Sequence, residues 1–311
     1  MAEAIQRAKI YLSCHPSDHE EVEALAAFLE DLGFQPSGFW GNARQNTRTS
    51  TTEQQYIREA HFFIACLSKR SFKRKSPVPR EMQEARKVAA IKPAQEQYLT
   101  LARLKECPIP PAWGNIHRIN FFESDGWEIF AEKVKQNLKH YSISFQPRFR
   151  VIERSDLSPF EAGRMIRLKE LFHNEWNDAA KRPPRQYSRD GKNTERIIID
   201  GATGLMWQRY PSTKFMEARE AREHVRQLNL SRWCSYEDWR LPTLDEAMAL
   251  MERIIDKDFF LNPHFFDPSP WILTADQYEG QTWLVNYKLG ICSLGHAVTG
   301  VCVRAVRTFQ S

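Results

Sequence analysis

Two polar segments near the N-terminus and one carboxylate are the residues best placed to do chemistry. Cys14–Asp18 and Ser68–Pro79 each follow a short apolar run, and Glu81 stands just after the second segment. A basic run accompanies them, formed by Lys69, Arg70, Lys73, Arg74, Lys75 and Arg80. Such a run is able to hold the phosphates of a nucleotide or a nucleic acid, and it is also typical of a solvated surface.

An open parallel sheet is the arrangement that would bring these segments together. Residues 9–140 alternate short apolar runs with helical patterns, which is typical of parallel strands covered by helices on both faces. The predicted strands are Lys9–Cys14, Phe34–Trp40, His61–Leu67, Tyr98–Leu104 and Ile116–Phe122. The predicted helices are His19–Leu32, Glu53–Ala60, Pro79–Ala90 and Gly126–His140.

The order of these strands decides where a ligand would bind. In a flavodoxin-like sheet the order is 2-1-3-4-5, and it reverses between the first and third strands. The segments Cys14–Asp18 and Ser68–Pro79 would then face one crevice, with Glu81 overlooking it from the first turn of the next helix. An acid at that position also complements the helix dipole, so a purely structural role for Glu81 stays open.

Several common catalytic motifs are missing from the chain. It holds neither Gly-x-Gly-x-x-Gly nor Gly-x4-Gly-Lys-Ser/Thr, and the zinc-binding helix motif and the Gly-x-Ser-x-Gly elbow are absent as well. The cysteines form no Cys-x-x-Cys pair and are predicted to be reduced and mostly buried: Cys14, Cys66, Cys107, Cys234, Cys292 and Cys302. We therefore expect no metal and no resident cofactor.

Composition predicts a globular protein of two domains. The chain has 311 residues, of which 42% are hydrophobic and 27% charged. No apolar run approaches the roughly 20 residues that span a bilayer, and the N-terminus is unlike a signal peptide, so a cytoplasmic location without a membrane partner is predicted. The net charge of +5 resides in the N-terminal half, but no nucleic-acid motif accompanies it, so nucleic acid is not an expected partner.

Five segments of the N-terminal half, in order, resemble the boxes of a bacterial Toll/interleukin-receptor (TIR) domain. They are Lys9–Asp18, Ser37–Trp40, Phe62–Ser68, Pro79–Ala85 and Arg103–Pro110. The resemblance implies the flavodoxin-like sheet and, as in many bacterial members, cleavage of NAD+ as substrate at the nicotinamide–ribose bond. It assigns the catalytic carboxylate to Glu81, with Glu84 as the competing assignment one turn later.

A single carboxylate suits this reaction. Nicotinamide leaves from a positively charged ring and needs no general acid, whereas the ribose that remains develops oxocarbenium character that a carboxylate stabilises. A glycoside hydrolase would instead use two carboxylates that flank the bond.

The resemblance also implies an NAD+ pocket lined by Ser13, Ser17, Asp18, Trp40 and Arg80. Two of these have ordinary structural alternatives, since Asp18 could cap the following helix and Trp40 could be a core aromatic.

The stretch 41–52 corresponds to the loop through which TIR domains assemble head to tail and gate the site. Arg44 and Arg48 would make those contacts, or else lie in solvent. The family often has an acidic residue after the position of Trp40, and here that residue is Gly41.

The C-terminal half resembles a second family, the Lcl-type C-terminal domain with its C-type-lectin-like, α+β fold. The segments that carry the resemblance are Asp200–Trp207, Asp238–Thr243, Trp271–Thr274, Trp283–Gly290 and Val301–Arg307. A structural role for these motifs is the alternative to a binding role: Trp207 and Trp239 would fill a core, Arg240 would pair with a buried acid, and Thr243 would start a helix.

A lectin-like fold implies an irregular loop face for an unknown ligand. Thr274–Gln281 and Tyr287–Thr299 are expected to form that face, with Tyr278, Tyr287, Lys288 and His296 as ligand-sensing residues. No calcium-binding cluster of Glu, Asn and Asp is evident in the sequence. Three helices are predicted in this half: Pro159 to about Ala180, Lys214–Leu228 and Thr243–Ile255.

The predicted plan is a TIR domain at 1–140, a helical linker at 141–194 and a ligand-sensing domain at 195–311. Together these features predict a bacterial immune-type protein of antiphage defence in which ligand sensing and TIR self-association, as a homo-oligomer or filament, activate NAD+ hydrolysis. A non-catalytic TIR adaptor or ligand-binding scaffold is one alternative, and a cyclase that makes a signalling nucleotide from NAD+ is another.

Overall fold

The computed structural model describes residues 7–38, 50–93, 97–123, 125–141, 143, 145, 147–180, 187–189, 195–252, 260–265, 271–295 and 301–309. The chain divides into two compact units, Met1–Arg148 and Phe149–Ser311. Each unit has its own hydrophobic core, and each is described separately below.

The first unit is built on a five-stranded parallel sheet. Its strands are β1 (Lys9–Ser13), β2 (Gln35–Gly38), β3 (Phe62–Leu67), β4 (Leu99–Arg103) and β5 (His117–Asn120). The order is β2-β1-β3-β4-β5, and all neighbouring pairs are parallel, which confirms the predicted order. All six residues of β3 are buried, as expected for a central strand that is covered on both faces.

Four helices cover this sheet: α1 (His19–Asp31), α2 (Ser50–Glu59), α3 (Val78–Ala89) and α4 (Gly126–Leu138). Gly33, with φ 85°, adopts the left-handed conformation just after α1, which favours glycine at the residue that follows a helix end. Pro79 lies in the first turn of α3, while Arg86 and Lys87 lie in its last turn, where they complement the helix dipole. Because β1 and β3 are parallel neighbours, the loops that follow them lie at the same edge of the sheet. The second of these loops leads into α3, so α3 also begins at this edge.

The second unit combines antiparallel sheets with three helices. A four-stranded sheet has the order β12-β8-β7-β6 and a three-stranded sheet the order β11-β10-β9. The strands are β6 (Tyr187–Arg189), β7 (Ile197–Asp200), β8 (Leu205–Gln208), β9 (Trp271–Tyr278), β10 (Gln281–Asn286), β11 (Ile291–Gly295) and β12 (Val306–Thr308). The helices are α5 (Pro159–Leu168), α6 (Ala218–Leu230) and α7 (Leu244–Met248).

The segment predicted as a helical linker lies, in its described part after Arg148, within the second compact unit. Leu157, Ile166 and Phe172 are buried in the core of this unit. The helix predicted to run to about Ala180 ends earlier, because the chain turns at Glu170, where φ is 54°. Apolar residues of the predicted helix are therefore buried, but their spacing along the sequence did not show where the helix ends.

The predicted irregular loop face is also corrected. Thr274–Gln281 and the described part of 287–299 lie mostly in an antiparallel meander of β9, β10 and β11. Glu279 and Gly280 both have positive φ and connect β9 to β10 in two residues, which is the geometry of a tight hairpin turn.

The helix predictions for this unit differ from the structure at their ends. The helix predicted over Lys214–Leu228 spans Ala218–Leu230, and the one predicted over 243–255 is helical only at Leu244–Met248 within the described residues.

The structural alternative for the C-terminal motifs is confirmed. Trp207 and Trp239 are buried, and the Arg240 guanidinium donates to both carboxylate oxygens of Glu246 at 2.6 Å. Thr243 forms a capping box with Glu246 at the start of α7.

The predicted state of the cysteines is confirmed as well. All six are free thiols and five of them are buried.

Within the described residues, no helix is both long and apolar enough to cross a membrane.

Candidate functional site

Glu81 and Ser13 meet at the carboxyl edge of the parallel sheet. Ser13 is the last residue of β1, and its Oγ donates to Oε2 of Glu81, which lies in the first turn of α3, over 2.6 Å. Glu81 is 3% exposed and Ser13 is 1% exposed. A hydroxyl bound to a carboxylate at this distance makes a strong, charge-assisted hydrogen bond. The predicted catalytic acid is therefore oriented by the end of a central strand.

Asp18 and its neighbours form a second polar group on the same edge. The buried Asp18 accepts from Ser68 Oγ at 2.6 Å and from Arg70 Nη1 at 3.1 Å. Arg70 Nη1 also donates to the backbone oxygen of Ser17 at 2.9 Å. Asp18 stands at the N-cap of α1 but makes no side-chain capping bond. Its carboxylate instead ties the loop after β1 to the loop after β3.

The loop after β3 is a series of tight turns. Backbone amides of Ser71, Lys73 and Ser76 each donate to the carbonyl oxygen three residues earlier, at 2.9–3.1 Å. Ser68 N donates to Ser71 Oγ at 2.9 Å. The loop then enters α3, where Glu81 N donates to the Pro77 oxygen at 3.0 Å. Backbone hydrogen bonds thus connect this loop directly to the turn that carries the candidate acid.

Arg80 differs from its expected place. Its guanidinium donates to the buried Glu53 of α2, and its side chain is 60% exposed. We predicted Arg80 as a wall of the NAD+ pocket, and the structure joins it to α2. A neighbour in sequence on a helix points about 100° away, which is why Arg80 and Glu81 have different partners.

The two candidate acids of α3 have different surroundings. Glu84 is bonded to Lys87 of the same helix at 2.6 Å, and the Lys87 side chain is 72% exposed. Glu81, by contrast, contacts a strand end 68 residues away in sequence. Glu81 therefore lies at the carboxyl edge of the sheet, whereas Glu84 forms an ion pair within α3.

A cysteine beside these groups is not suited to act as nucleophile. Cys66, in β3, is fully buried, and burial raises the pKa of its thiol well above the ordinary value. Cys14 and Asp18 raise this pKa further. Because the thiolate is the reactive form, Cys66 stays protonated and inert at neutral pH.

The predicted ligand-sensing residues of the second unit do not share one environment. Tyr278 is half-buried at the end of β9, and Lys288 is exposed in the turn after β10. Tyr287 is a correction: it is fully buried and its hydroxyl donates to the Ala247 oxygen at 3.0 Å. Its ring fills the core, so it cannot present a surface to a ligand.

Four predicted site residues lie outside the described residues. They are Trp40, Arg44, Arg48 and His296. Among the residues that the structure does describe, no group of three His, Cys, Asp or Glu side chains has the geometry of a metal site.

A buried ionic cluster of the second unit was not predicted. Asp276 accepts from both Nη atoms of Arg150, at 3.1 and 2.7 Å, while Asp245 accepts from Arg150 and from Lys169 Nζ at 2.7 Å. Both carboxylates are fully buried. The partners are 76 to 126 residues apart in sequence, and no local spacing signals such a contact.

The parallel sheet with a carboxylate beside its switch point defines the first unit as a flavodoxin-like α/β domain. Residues 10–137 match the family model of the TIR domain, and residues 196–307 match that of the Lcl C-terminal domain. The chain therefore carries a TIR domain followed by an Lcl C-terminal domain, which confirms both resemblances.

Two solved structures are similar to part of the chain. The TIR domain of the Toll-related receptor TRR-2 from Hydra magnipapillata shares 16% identity, covers 42% of this chain and 97% of its own, and has a TM-score of 0.32. The CMP N-glycosidase BcmB of Clostridium botulinum shares 16% identity, covers 40% and 98%, and has a TM-score of 0.28. Comparison with curated protein sequences gave no match.

Proposed function

We propose that the TIR domain cleaves NAD+ between nicotinamide and ribose, with Glu81 as the catalytic carboxylate. The observation that carries the proposal is the 2.6 Å hydrogen bond from Ser13, which orients this acid at the carboxyl edge of the sheet. Ligands of open α/β sheets bind at that edge, beside the point where the strand order reverses. The match of residues 10–137 to the TIR family supports the same assignment.

The chemistry needs little more than one oriented negative charge. As the bond between ribose C1′ and the pyridinium nitrogen breaks, its electron pair moves to the nitrogen and neutralises the ring. Positive charge then grows on the ribose, and the carboxylate of Glu81 stabilises it. Water completes the reaction by bonding to C1′ and releasing a proton, which yields ADP-ribose; attack by an adenine nitrogen instead would yield a cyclic product.

Ser13 serves as a positioning residue in this scheme. Its hydroxyl holds one oxygen of the Glu81 carboxylate, which limits the rotation of the side chain. A carboxylate held in one orientation stabilises developing charge without first having to reorganise.

The burial of Glu81 fits a resting state. With 3% of the residue exposed, a ribose cannot contact the carboxylate until the edge of the sheet opens. We therefore include an activation step in the proposal: a ligand sensed by the Lcl C-terminal domain would promote self-association of TIR domains, and self-association would open the site, in the cytoplasm, as part of antiphage defence. Self-association would raise the local concentration of TIR domains, so that a contact between neighbouring domains could drive this opening.

Nicotinamide release by the purified full chain tests the proposal. Increasing protein concentrations should be incubated with NAD+ and the products separated by chromatography. We expect nicotinamide and ADP-ribose from the wild type, release slower on the order of 100-fold from Glu81→Gln, and wild-type rates from Glu84→Gln, which makes the same change one helical turn away.

Other results would support the alternatives. Equal turnover by the wild type and Glu81→Gln would remove Glu81 from the mechanism, and cyclic ADP-ribose would identify a cyclase. Self-association without turnover at any concentration would favour the adaptor function.

A further inference from the structure

The loop between β3 and α3, residues 68–77, concentrates positive charge at the candidate site. We call it the basic loop. Five of its residues are cationic and exposed: Arg70, which is paired with Asp18, and Lys69, Lys73, Arg74 and Lys75. The whole stretch 68–80 contains no Asp or Glu. No neighbouring acid along the chain therefore neutralises the last four of these cations.

The basic loop is attached to the edge of the sheet that holds Glu81. Ser68 Oγ donates to Asp18, and Arg70 donates to the Ser17 oxygen, so the start of the loop is tied to the loop after β1. At its other end the Pro77 oxygen accepts from the amide of Glu81. Backbone turns connect these two ends, so the cations are carried on a short segment that is joined directly to the turn of Glu81.

We propose that the basic loop binds the phosphate groups of the dinucleotide substrate; this inference rests on the proposed function. An acid that stabilises a ribose cation has to be accompanied by a positive region, because the substrate carries a negatively charged diphosphate on the same ribose. Cations on a loop adjoining the acid supply that region. The loop thereby selects substrates by their phosphates, while Glu81 acts on the bond that they all share.

The size of the loop favours a nucleotide over a nucleic acid. Its five cations, one of them paired with Asp18, fall within seven residues, a stretch that suits two or three phosphates. A specific nucleic-acid interface instead buries about 1,000 Å² or more and distributes its cations over that area.

Substrates that share the same scissile bond but carry a decreasing number of phosphates test the inference. NADP+, NAD+, nicotinamide mononucleotide and nicotinamide riboside carry three, two, one and no phosphates. We expect the KM of the wild type to rise along the series and to increase with salt for NAD+ but not for the riboside, since screening affects charged contacts.

Charge reversal in the loop should abolish that discrimination. The variant Lys73→Glu/Lys75→Glu is expected to raise the KM for NAD+ about tenfold or more and to leave turnover of the riboside unchanged. Arg118→Glu/Lys139→Glu is the matched control, because it makes the same change in net charge at exposed residues outside the loop. An unchanged KM for NAD+ in the loop variant, or an equal rise in the control, would overturn the inference.

Binding of ADP-ribose separates this inference from the proposed function. In the Glu81→Gln background, calorimetry should show that ADP-ribose, which has no nicotinamide left to lose, binds and that the loop reversal weakens binding by a similar factor. If the wild type cleaves no NAD+ but ADP-ribose binding is still weakened by the loop reversal, the proposed reaction is rejected and the phosphate site is retained. If the loop reversal leaves ADP-ribose binding unchanged but weakens the binding of a single-stranded RNA, the inference is rejected in favour of nucleic acid.

Discussion

Buried carboxylates occur in both units, but their partners differ. In the first unit, Glu81 accepts a hydrogen bond from the hydroxyl of Ser13 at the edge of a parallel sheet. In the second unit, Asp276 accepts four hydrogen bonds, two from the Arg150 guanidinium and two from the backbone amides of Arg154 and Leu244. One acid is oriented at a strand end, whereas the other joins three separate segments of its unit.

This difference separates a chemical role from a structural one. A buried carboxylate that is bonded on both oxygens to cations and amides has its charge compensated inside the fold, and removing one partner leaves the other charge uncompensated. Arg150 stands two residues after the boundary between the units, so the Asp276 and Asp245 contacts attach the start of the second unit to its core. We interpret this cluster as structural, and Glu81 is the acid of the proposed reaction.

Removing Asp276 should have the largest effect. We expect Asp276→Ala to lower the free energy of unfolding of the second unit by about 3–5 kcal/mol, because Arg150 would stay buried without its principal acid. Asp156→Ala is the control, since Asp156 is 76% exposed in its pair with Arg154. Chemical denaturation followed by tryptophan fluorescence measures both variants. Equal stabilities would show that the cluster does not hold the unit together.

Replacing Glu81 should lower the rate of NAD+ cleavage strongly and the stability of the first unit only slightly. We expect Glu81→Gln to reduce the rate of nicotinamide release on the order of 100-fold, the usual loss when one electrostatic contact to a transition state is removed. The free energy of unfolding should change by less than the value for Asp276→Ala, since the amide still accepts from Ser13. Rates and denaturation midpoints of the same preparations check this prediction. A large loss of stability with little loss of rate would make Glu81 a structural acid.

Acid should weaken the second unit through Asp245. Burial by itself would raise the pKa of this carboxyl, but the Lys169 ammonium and the Arg150 guanidinium outweigh burial and lower the pKa to about 2. The folded value thus lies below the unfolded value of about 3.9, so the stabilisation is complete above pH 4 and is lost as the pH falls towards 2. It amounts to about 2 kcal/mol by this linkage.

Unfolding measured between pH 2 and pH 7 tests the linkage. The stability difference between the wild type and Asp245→Asn should shrink as the pH falls below 4. The exposed Asp178→Asn should follow the wild type throughout. A difference that is independent of pH would contradict the ionic role of Asp245.

Ser13 should show the smallest effect. Ser13→Ala removes the hydroxyl that orients Glu81, and the expected loss of stability is about 1–2 kcal/mol, typical for a buried hydrogen bond to a charged group. The rate of nicotinamide release should fall while the KM for NAD+ changes little, because substrate contacts remain. Ser13→Thr keeps the hydroxyl and should restore part of the rate. A variant that is as fast as the wild type would end the positioning role.

Local periodicity predicted most of the first unit. The buried run at β3 and the apolar stripe of α1 led to elements whose bounds differ by one residue from those observed. The resemblance to TIR domains implied the sheet order, and alternating strands and helices allow few other topologies. Strand ends and helix starts converge at one edge of such a sheet. A residue at this edge, such as Glu81, is therefore predictable as a candidate site residue before any of its contacts is known.

The second unit exposed the limits of that reasoning. The hairpins of β9 to β11 looked irregular in sequence, and Tyr287 looked like a loop residue, although its ring is in the core. Glu170 gave no warning that it would take positive φ and end α5. Turns of this kind depend on the packing of the flanking segments, and a local window of sequence does not include that packing.

The amino-acid sequence by itself determined the two-domain class, the order of strands around the first sheet and the presence of an acid in the first turn of α3. Only the tertiary structure decided that Ser13 holds this acid, that Arg80 pairs with α2 and that Arg150 belongs to the second core. The physical reason is distance along the chain. Helix and strand periods are set by neighbouring residues, whereas the partners of a buried charge come from segments tens of residues away and are chosen by how the elements pack.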